Sequence, residues 1–325
     1  MKAIVLQQFG KPLEVKEMEK PQPKAHEVLV KIKASGLNPL DLKIKEGKAS
    51  HAEVTLPMIL GIDMAGIVEE IGKDVKNFKV GDEVFGMVGG VGNNPGTLAE
   101  YIAADADLLA LKPKNITFKE AAATPLIFIT AWEGLVSKMN IKKDETVLIH
   151  AGNGGVGHVA LQIALAKGAK VFTTVKSENI EAVQQYPVEI IPSDELSVEK
   201  YVQNFTNGAG FDAILDTVGL LDDSFKAVKQ YSGHVASILG WGTHSIAPLS
   251  FRNATYSGVF TLYPLLSGEN RKHYGEILKE AANLFEEGKL KIAVDDKSYS
   301  LEQTNEAFAD IENRISKGKT IIEIK

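Results

Sequence analysis

The chain has no cysteine. That excludes disulfides, thiolate nucleophiles and cysteine-ligated zinc, and it suits a reducing compartment. No apolar run approaches the ~20 residues a membrane helix needs. Met1-Lys-Ala-Ile-Val-Leu6 already reads as a strand, without the apolar core and cleavage site of an export leader. Positive charge is not in excess: 36 Lys and Arg against 42 Asp and Glu leave a formal charge of −6, which argues against nucleic acid as the main partner. Repeats, low-complexity tracts and long charge blocks are also missing. These absences point to a soluble, compact, cytoplasmic protein with no membrane or nucleic-acid partner. Its 325 residues are enough for two domains, each with its own core.

What the chain does have is glycine in telling places. Glu145-Thr-Val-Leu-Ile-His150 is a short, apolar, β-branched run of the kind that makes a buried parallel strand. Ala151-Gly-Asn-Gly-Gly-Val-Gly157 follows, then a run with apolar residues at Val156, Val159, Ala160, Ile163, Ala164 and Ala166, ended by Gly168. That spacing is helical, and a glycine belongs just past a helix end. Ala169–Val175 is a second strand. Gly152, Gly154 and Gly157 fit G-x-G-x-x-G inside this βαβ unit. The first glycine permits the tight turn, the second lets a pyrophosphate approach the backbone, and the third lets helix and strand pack closely. The helix N-terminus offers N–H groups and a positive dipole end to phosphate. Gly152, Asn153, Gly154, Gly155, Val156 and Gly157 are therefore candidate cofactor contacts. Gly89-Gly-Val-Gly92 resembles half the motif, but Asn93-Asn-Pro-Gly96 after it is turn chemistry; it reads as a mobile loop.

The end of the second strand bears on cofactor choice. Sites for NAD place Asp or Glu there to bind the adenosine ribose hydroxyls. Here Val175 is followed by Lys176 and Ser177, a cation and a hydroxyl suited to a 2′-phosphate. NADPH is the expected cofactor.

Residues 1–34 read as strands, and Asn38-Pro39-x-Asp41 as a helix start with Asn38 as cap and Asp41 in the first turn. Short strands with glycine turns continue to Lys112. Near residue 118 the pattern changes to helices, with Phe118–Ala123 and Ile127–Met139, and then to alternating strands and helices. Within that alternation Ile180–Gln185 reads as a helix and Tyr256–Leu262 as a sixth strand. Arg271–Glu287 and Thr304–Ile315 are helices, and Thr320–Ile324 is a closing strand. The expected fold is α/β: a Rossmann doubly wound parallel sheet inserted in a β-rich domain. The expected domains are 1–121 plus 264–325, and 122–263. Their cleft, at the carboxyl ends of the parallel strands, is the expected site.

Together these residues resemble the medium-chain dehydrogenase/reductase superfamily, most closely its zinc-free quinone oxidoreductase and ζ-crystallin branch. The markers are Asn38-Pro39-x-Asp41, Gly61-x-Asp63-x-Ala65-Gly66-x-Val68, Val80-Gly81-Asp82-x-Val84, Ala99-Glu100-Tyr101, Thr130-Ala131-Trp132, Gly154-Gly155-Val156-Gly157, Asp216-Thr217-Val218-Gly219 and Gly318-Lys319, in order along the whole chain. The resemblance implies a GroES-like catalytic domain. Zinc-dependent relatives place a cysteine where Asn38 stands and a histidine-acid pair where Ile62-Asp63 stands, so no metal is expected.

The resemblance further implies a homodimeric, NADPH-dependent, zinc-independent oxidoreductase that passes hydride to quinones or α,β-unsaturated carbonyls. The alternatives are an enoyl-thioester or alkenal reductase on the same scaffold, or a non-catalytic, crystallin-like NADPH-binding protein. Asn38 and Asp41 are implied to line the nicotinamide end as positioning residues, though a helix cap explains them equally. Thr130 resembles a threonine near the cofactor. Gly219, Leu239, Gly240 and Trp241 fall at strand ends expected to face the riboses, and Phe260, Thr261 and Leu262 are expected to receive the carboxamide. His150, ending a buried strand, reads as a core or rim histidine, and His51 as a surface one.

Overall fold

The computed structural model describes all 325 residues. In chain order its strands are β1 (Lys2–Leu6), β2 (Glu14–Glu17), β3 (Glu27–Gly36), β4 (Met58–Ile59), β5 (Asp63–Ile71), β6 (Glu83–Met87), β7 (Tyr101–Asp105) and β8 (Leu109–Leu111). Then come β9 (Thr146–His150), β10 (Lys170–Val175), β11 (Glu189–Pro192), β12 (Ala213–Asp216), β13 (His234–Ser237) and β14 (Thr255–Gly258), followed by β15 (Val294–Ser300) and β16 (Lys319–Glu323). The helices that matter for the site are α1 (Pro39–Lys45), α2 (Phe118–Ala123), α3 (Pro125–Trp132) and α4 (Gly155–Ala166). The chain forms two compact units: Met1–Leu126 with Leu262–Lys325, and Ile127–Thr261.

The second unit is a six-stranded parallel sheet in the order β11-β10-β9-β12-β13-β14. Counted from β9, this is the doubly wound order whose switch point falls between the first and fourth strands, here β9 and β12. β9 is central and Val147, Leu148 and Ile149 are wholly buried, as an unbroken apolar run requires when helices cover both faces. Under one face Leu148, Phe172, Phe211, Ile214, Phe225 and Val235 form a continuous core.

The first unit is β-rich. Its larger sheet runs β15-β16-β3-β5-β6-β8, with β7 also paired to β3, and a smaller one runs β2-β1-β4. Both ends of the chain meet in the larger sheet, where Ile321, Ile322 and Glu323 of β16 lie opposite Gly36, Ser35 and Ala34 of β3. At that end of β3 a Cβ on Gly36 would come 2.2 Å from the carbonyl oxygen of Ala122, so glycine alone lets α2 lie this close to the strand.

Several local expectations need correction. The sixth parallel strand stops at Gly258, where its only neighbour stops at Ser237; Phe260, Thr261 and Leu262 lie beyond it. The stretch expected as a helix from Ile180 is a 3₁₀ segment, Ser177–Ala182, none of whose residues is buried, so no apolar face stabilises further turns. Residues 89–96 are not a mobile loop but a packed turn. Gly90 N–H bonds Asn94 O at 3.2 Å, Gly92 N–H bonds Ala52 O at 2.8 Å, and Asn94 Nδ2 donates to Leu265 O at 2.8 Å. β15 and the short helix Ala247–Phe251 have no clear signal in the sequence.

Candidate active site

The glycine turn after β9 is built from the inside. Thr173 Oγ1 on β10 donates to Ile149 O at 2.8 Å and accepts from Gly152 N–H at 3.0 Å. A Cβ on Gly152 would sit 2.3 Å from that hydroxyl, and one on Gly157 would sit 2.1 Å from Ala151 O. Both glycines are thus required by the fold itself. Gly154 differs: the nearest atom to a Cβ there is Ala151 O at 3.3 Å. That oxygen is the only neighbour within 4 Å, so packing leaves the rest of its outer face open, where a pyrophosphate would come closest to the backbone. Gly154 is also the N-cap of α4, and no side chain caps that end. Gly155 and Val156 begin the helix and Asn153 stands exposed on the turn. Ala151, which sequence reasoning passed over, holds φ +53°, a left-handed conformation unusual for a residue with a Cβ.

The other strand ends converge on the same edge of this sheet. Asp216, last residue of β12, gathers its turn: Oδ1 accepts from Val218, Gly219 and Leu220 N–H at 3.0, 2.8 and 2.9 Å, and Oδ2 from Ser237 Oγ at 2.8 Å. Leu239 N–H bonds Ser237 Oγ at 3.1 Å. Gly219 has φ +85° and faces Leu239 O, while a Cβ on Gly240 would meet Tyr256 Oη at 2.4 Å. Thr130 and Thr261, far apart in sequence, share a hydroxyl–hydroxyl bond of 2.9 Å. Trp241 and Phe260 meet edge to face with centroids 6.4 Å apart. His150 is a core histidine. Its Nδ1 lies 2.8 Å from Thr174 Oγ1, its Nε2 is buried without a partner, and burial lowers its pKa so that it is neutral.

Lys176 is exposed just past β10, and Ser177 follows it as the first residue of the 3₁₀ segment. Ser177 does not stand free. Its N–H and Oγ both donate to Asp194 Oδ1 at 2.9 Å, and its Oγ lies 2.6 Å from Glu195 Oε1.

In the β-rich unit Asn38 and Asp41 are wholly buried. Asp41 Oδ2 accepts the Asn38 N–H at 2.8 Å, one arm of a capping box at the start of α1. Asn38 Nδ2 donates to Asp63 Oδ2 at 3.0 Å, and its Oδ1 accepts from the Lys319 ammonium. Lys319 Nζ also donates to Leu37 O at 2.8 Å, and Leu126 N–H reaches Asp63 Oδ1 at 3.0 Å. Asp41 Oδ1 is buried without a partner. Burial raises Asp41 to about 6 and Asp63 to about 7, against the pull of Lys319 on both. The Lys319 ammonium is itself lowered by burial, against Asp63 and Asp41. Sequence reading had Asp63 and Lys319 only as markers. A carboxylate inside the apolar stretch 58–68 and a lysine opening an apolar strand are the signals for this cluster.

Residues 24–114 match the alcohol dehydrogenase GroES-like domain, and residues 189–322 match the zinc-binding dehydrogenase domain. The chain is 32% identical to the chloroplastic NADPH-dependent alkenal/one oxidoreductase of Arabidopsis thaliana, covering 99% of this chain and 79% of that protein. It is 31% identical to the quinone oxidoreductase of Sus scrofa, over 99% and 97% of the two chains. The crystal structure of an alcohol dehydrogenase superfamily protein from Novosphingobium aromaticivorans superposes with a TM-score of 0.97 at 47% identity, over all of both chains. The chain belongs to the medium-chain dehydrogenase/reductase superfamily. It falls in the quinone oxidoreductase-like branch. This medium-chain reductase is an oxidoreductase that binds a nicotinamide cofactor, and the open Gly154 face at the uncapped α4 terminus fits that ligand. It does not fit the zinc that one domain description implies. A tetrahedral site wants thiolate or imidazole ligands. Here Asn38, Ile62 and Asp63 occupy the places, and no group of three His, Cys, Asp or Glu residues could hold a metal. A lysine ammonium supplies the positive charge between the carboxylates.

Proposed function

We propose that this protein is an NADPH-dependent, metal-independent reductase of quinones or α,β-unsaturated carbonyls. One observation carries the cofactor part: β10 ends at Val175 and runs into Lys176-Ser177, without an acid of its own at the ribose position, beside a glycine turn open at Gly154. Lys176 pairs with the 2′-phosphate as a point charge. The acceptor class is supported by the named activities of the alkenal/one and quinone oxidoreductase relatives.

NADPH, when bound, supplies the hydride. The chain's own work is to hold it. The α4 terminus binds the pyrophosphate, and the turns that Asp216 gathers seat the riboses through backbone groups at Gly219, Leu239, Gly240 and Trp241. The Thr130–Thr261 pair, with Phe260 and Leu262, takes the nicotinamide end. Asn38 and Asp41 position the start of α1 rather than react: the Asn38 amide is taken by Asp63 and Lys319, and Asp41 Oδ2 by the cap. Holding donor and acceptor in line and dry is the main source of rate in this chemistry. The proton follows from solvent to the enolate or hydroquinone oxygen.

We also propose a cytoplasmic homodimer. The free edge of β14, flanked by exposed Tyr256 and Phe251, is the self-complementary surface. A sedimentation mass of one chain would overturn that assembly.

The function is tested by steady-state oxidation of NADPH and NADH, side by side, with 9,10-phenanthrenequinone and an enone as acceptors. Turnover with NADPH preferred supports the reading; binding of NADPH without turnover of any acceptor overturns it.

A further inference from the structure

We infer that Asp194 and Glu195, in the turn after β11, set how far the protein distinguishes NADPH from NADH. The inference rests on the cofactor site proposed above, at the end of β10.

The strand register brings the two turns together. Val175 pairs with Pro192 in the parallel sheet, so the residues after β10 and after β11 leave it side by side, and Ser193 N–H bonds Val175 O at 2.9 Å. Ser177 carries a hydroxyl at this corner. Its two donors, N–H and Oγ–H, are the groups a 2′-phosphate would use, and both already point at carboxylates, Asp194 Oδ1 at 2.9 Å and Glu195 Oε1 at 2.6 Å. Asp194 is held below the usual carboxylate range by the Ser177 N–H and hydroxyl, with a smaller pull from Lys176, and so is charged at neutral pH.

A bound 2′-phosphate therefore meets one cation, Lys176, and two anions on the donor it needs. To reach Ser177 it must displace both carboxylates, and it is repelled by them in place. A ribose 2′-hydroxyl has the opposite requirement. It is a donor as well as an acceptor, and Asp194 makes both its bonds through Oδ1, which leaves Oδ2 to accept. An acid from the third strand thus performs for NADH what the missing acid of the second strand does elsewhere. The corner tolerates both cofactors, and these two residues fix the margin between them. Because the groups are exposed, the margin is screened by salt.

The test is binding of NADPH and of NADH, followed by nicotinamide fluorescence, to the wild type, to Asp194→Asn/Glu195→Gln and to Lys176→Glu. The double variant keeps oxygen acceptors for Ser177 and removes the charge. It should tighten NADPH by about fivefold and leave or weaken NADH, with the shift shrinking at high salt. Adding Ser177→Ala to the double variant should take back most of that gain. An unchanged NADPH-to-NADH ratio in the folded double variant overturns the inference, even where Lys176→Glu abolishes the NADPH preference and so upholds the proposed cofactor. A wild type that strongly prefers NADH, with a double variant that shifts toward NADPH, overturns the proposed cofactor and upholds the role of Asp194 and Glu195.

Discussion

The Lys319 ammonium donates to the Asn38 side chain across 281 residues of sequence, in a pocket that also encloses Asp41 and Asp63. It is the cation of a closed set: two carboxylates, one amide, one ammonium and the carbonyl of Leu37. Removing one charge from a buried group like this strands the others. Lys319→Met should lower unfolding free energy by about 3 kcal/mol in urea titration. Lys319→Met/Asp63→Asn should recover part of the loss, because the second change removes a stranded anion. Equal losses in the two would contradict the coupling.

The same pocket gives stability a pH dependence of defined sign. Asp41 and Asp63 are raised to about 6 and about 7 by burial, above the 3.8 of an unfolded aspartate. Between pH 4 and pH 7 the native state holds protons that the unfolded chain has lost. Their contribution is therefore fully present at the acid end and is lost as pH rises through the folded values. Lys319, lowered by burial, gives the opposite slope, and does so toward alkaline pH. The melting temperature should fall by about 5 °C from pH 5 to pH 7.5 on account of the aspartates, and Asp63→Asn should flatten that slope. A variant with the wild-type slope would show that another group titrates.

Three glycines of one turn should fail in different ways. Gly152→Ala and Gly157→Ala drive a methyl to 2.3 and 2.1 Å from protein atoms, so both should lower the melting temperature. Gly154→Ala meets only Ala151 O, at 3.3 Å, and should lower the melting temperature far less than the other two. Its methyl projects where the pyrophosphate approaches, so cofactor affinity should drop about tenfold. Calorimetry separates the two effects, and undiminished binding by Gly154→Ala would remove the pyrophosphate from that face.

Chelation should leave activity intact. The residues at the places of the zinc ligands are an amide, an isoleucine and an aspartate already bonded to Asn38 and Leu126. Loss of turnover in EDTA, restored by zinc, would contradict this.

Much of the fold was legible in the sequence because it rests on local pattern. The apolar run 146–150, the turn glycines and the 3.6-residue spacing after Val156 are short-range signals, and they place β9, α4 and β10. The limits of β14 were not legible, since the strand ends where β13 ends and nothing within Tyr256–Leu262 marks Gly258. Asn38 was legible as a cap position, but not as a residue whose amide is spent on Asp63 and Lys319, because those partners lie on other strands of the sheet. Ser177 and Asp194 are only 17 residues apart, yet their contact depends on the parallel register of β10 and β11, which no local pattern states.

The pairing of β16 with β3 bears on how the chain is made. A ribosome delivers the parallel sheet whole, from β9 to β14, while β3 still lacks its outer neighbour and the aspartate pocket still lacks its cation. That unit can fold early, as domains completed during synthesis do. The β-rich unit cannot close until Lys319 has left the exit tunnel. Termination before Lys319 would leave an open sheet edge over two buried acids, a product that quality-control proteases are suited to remove.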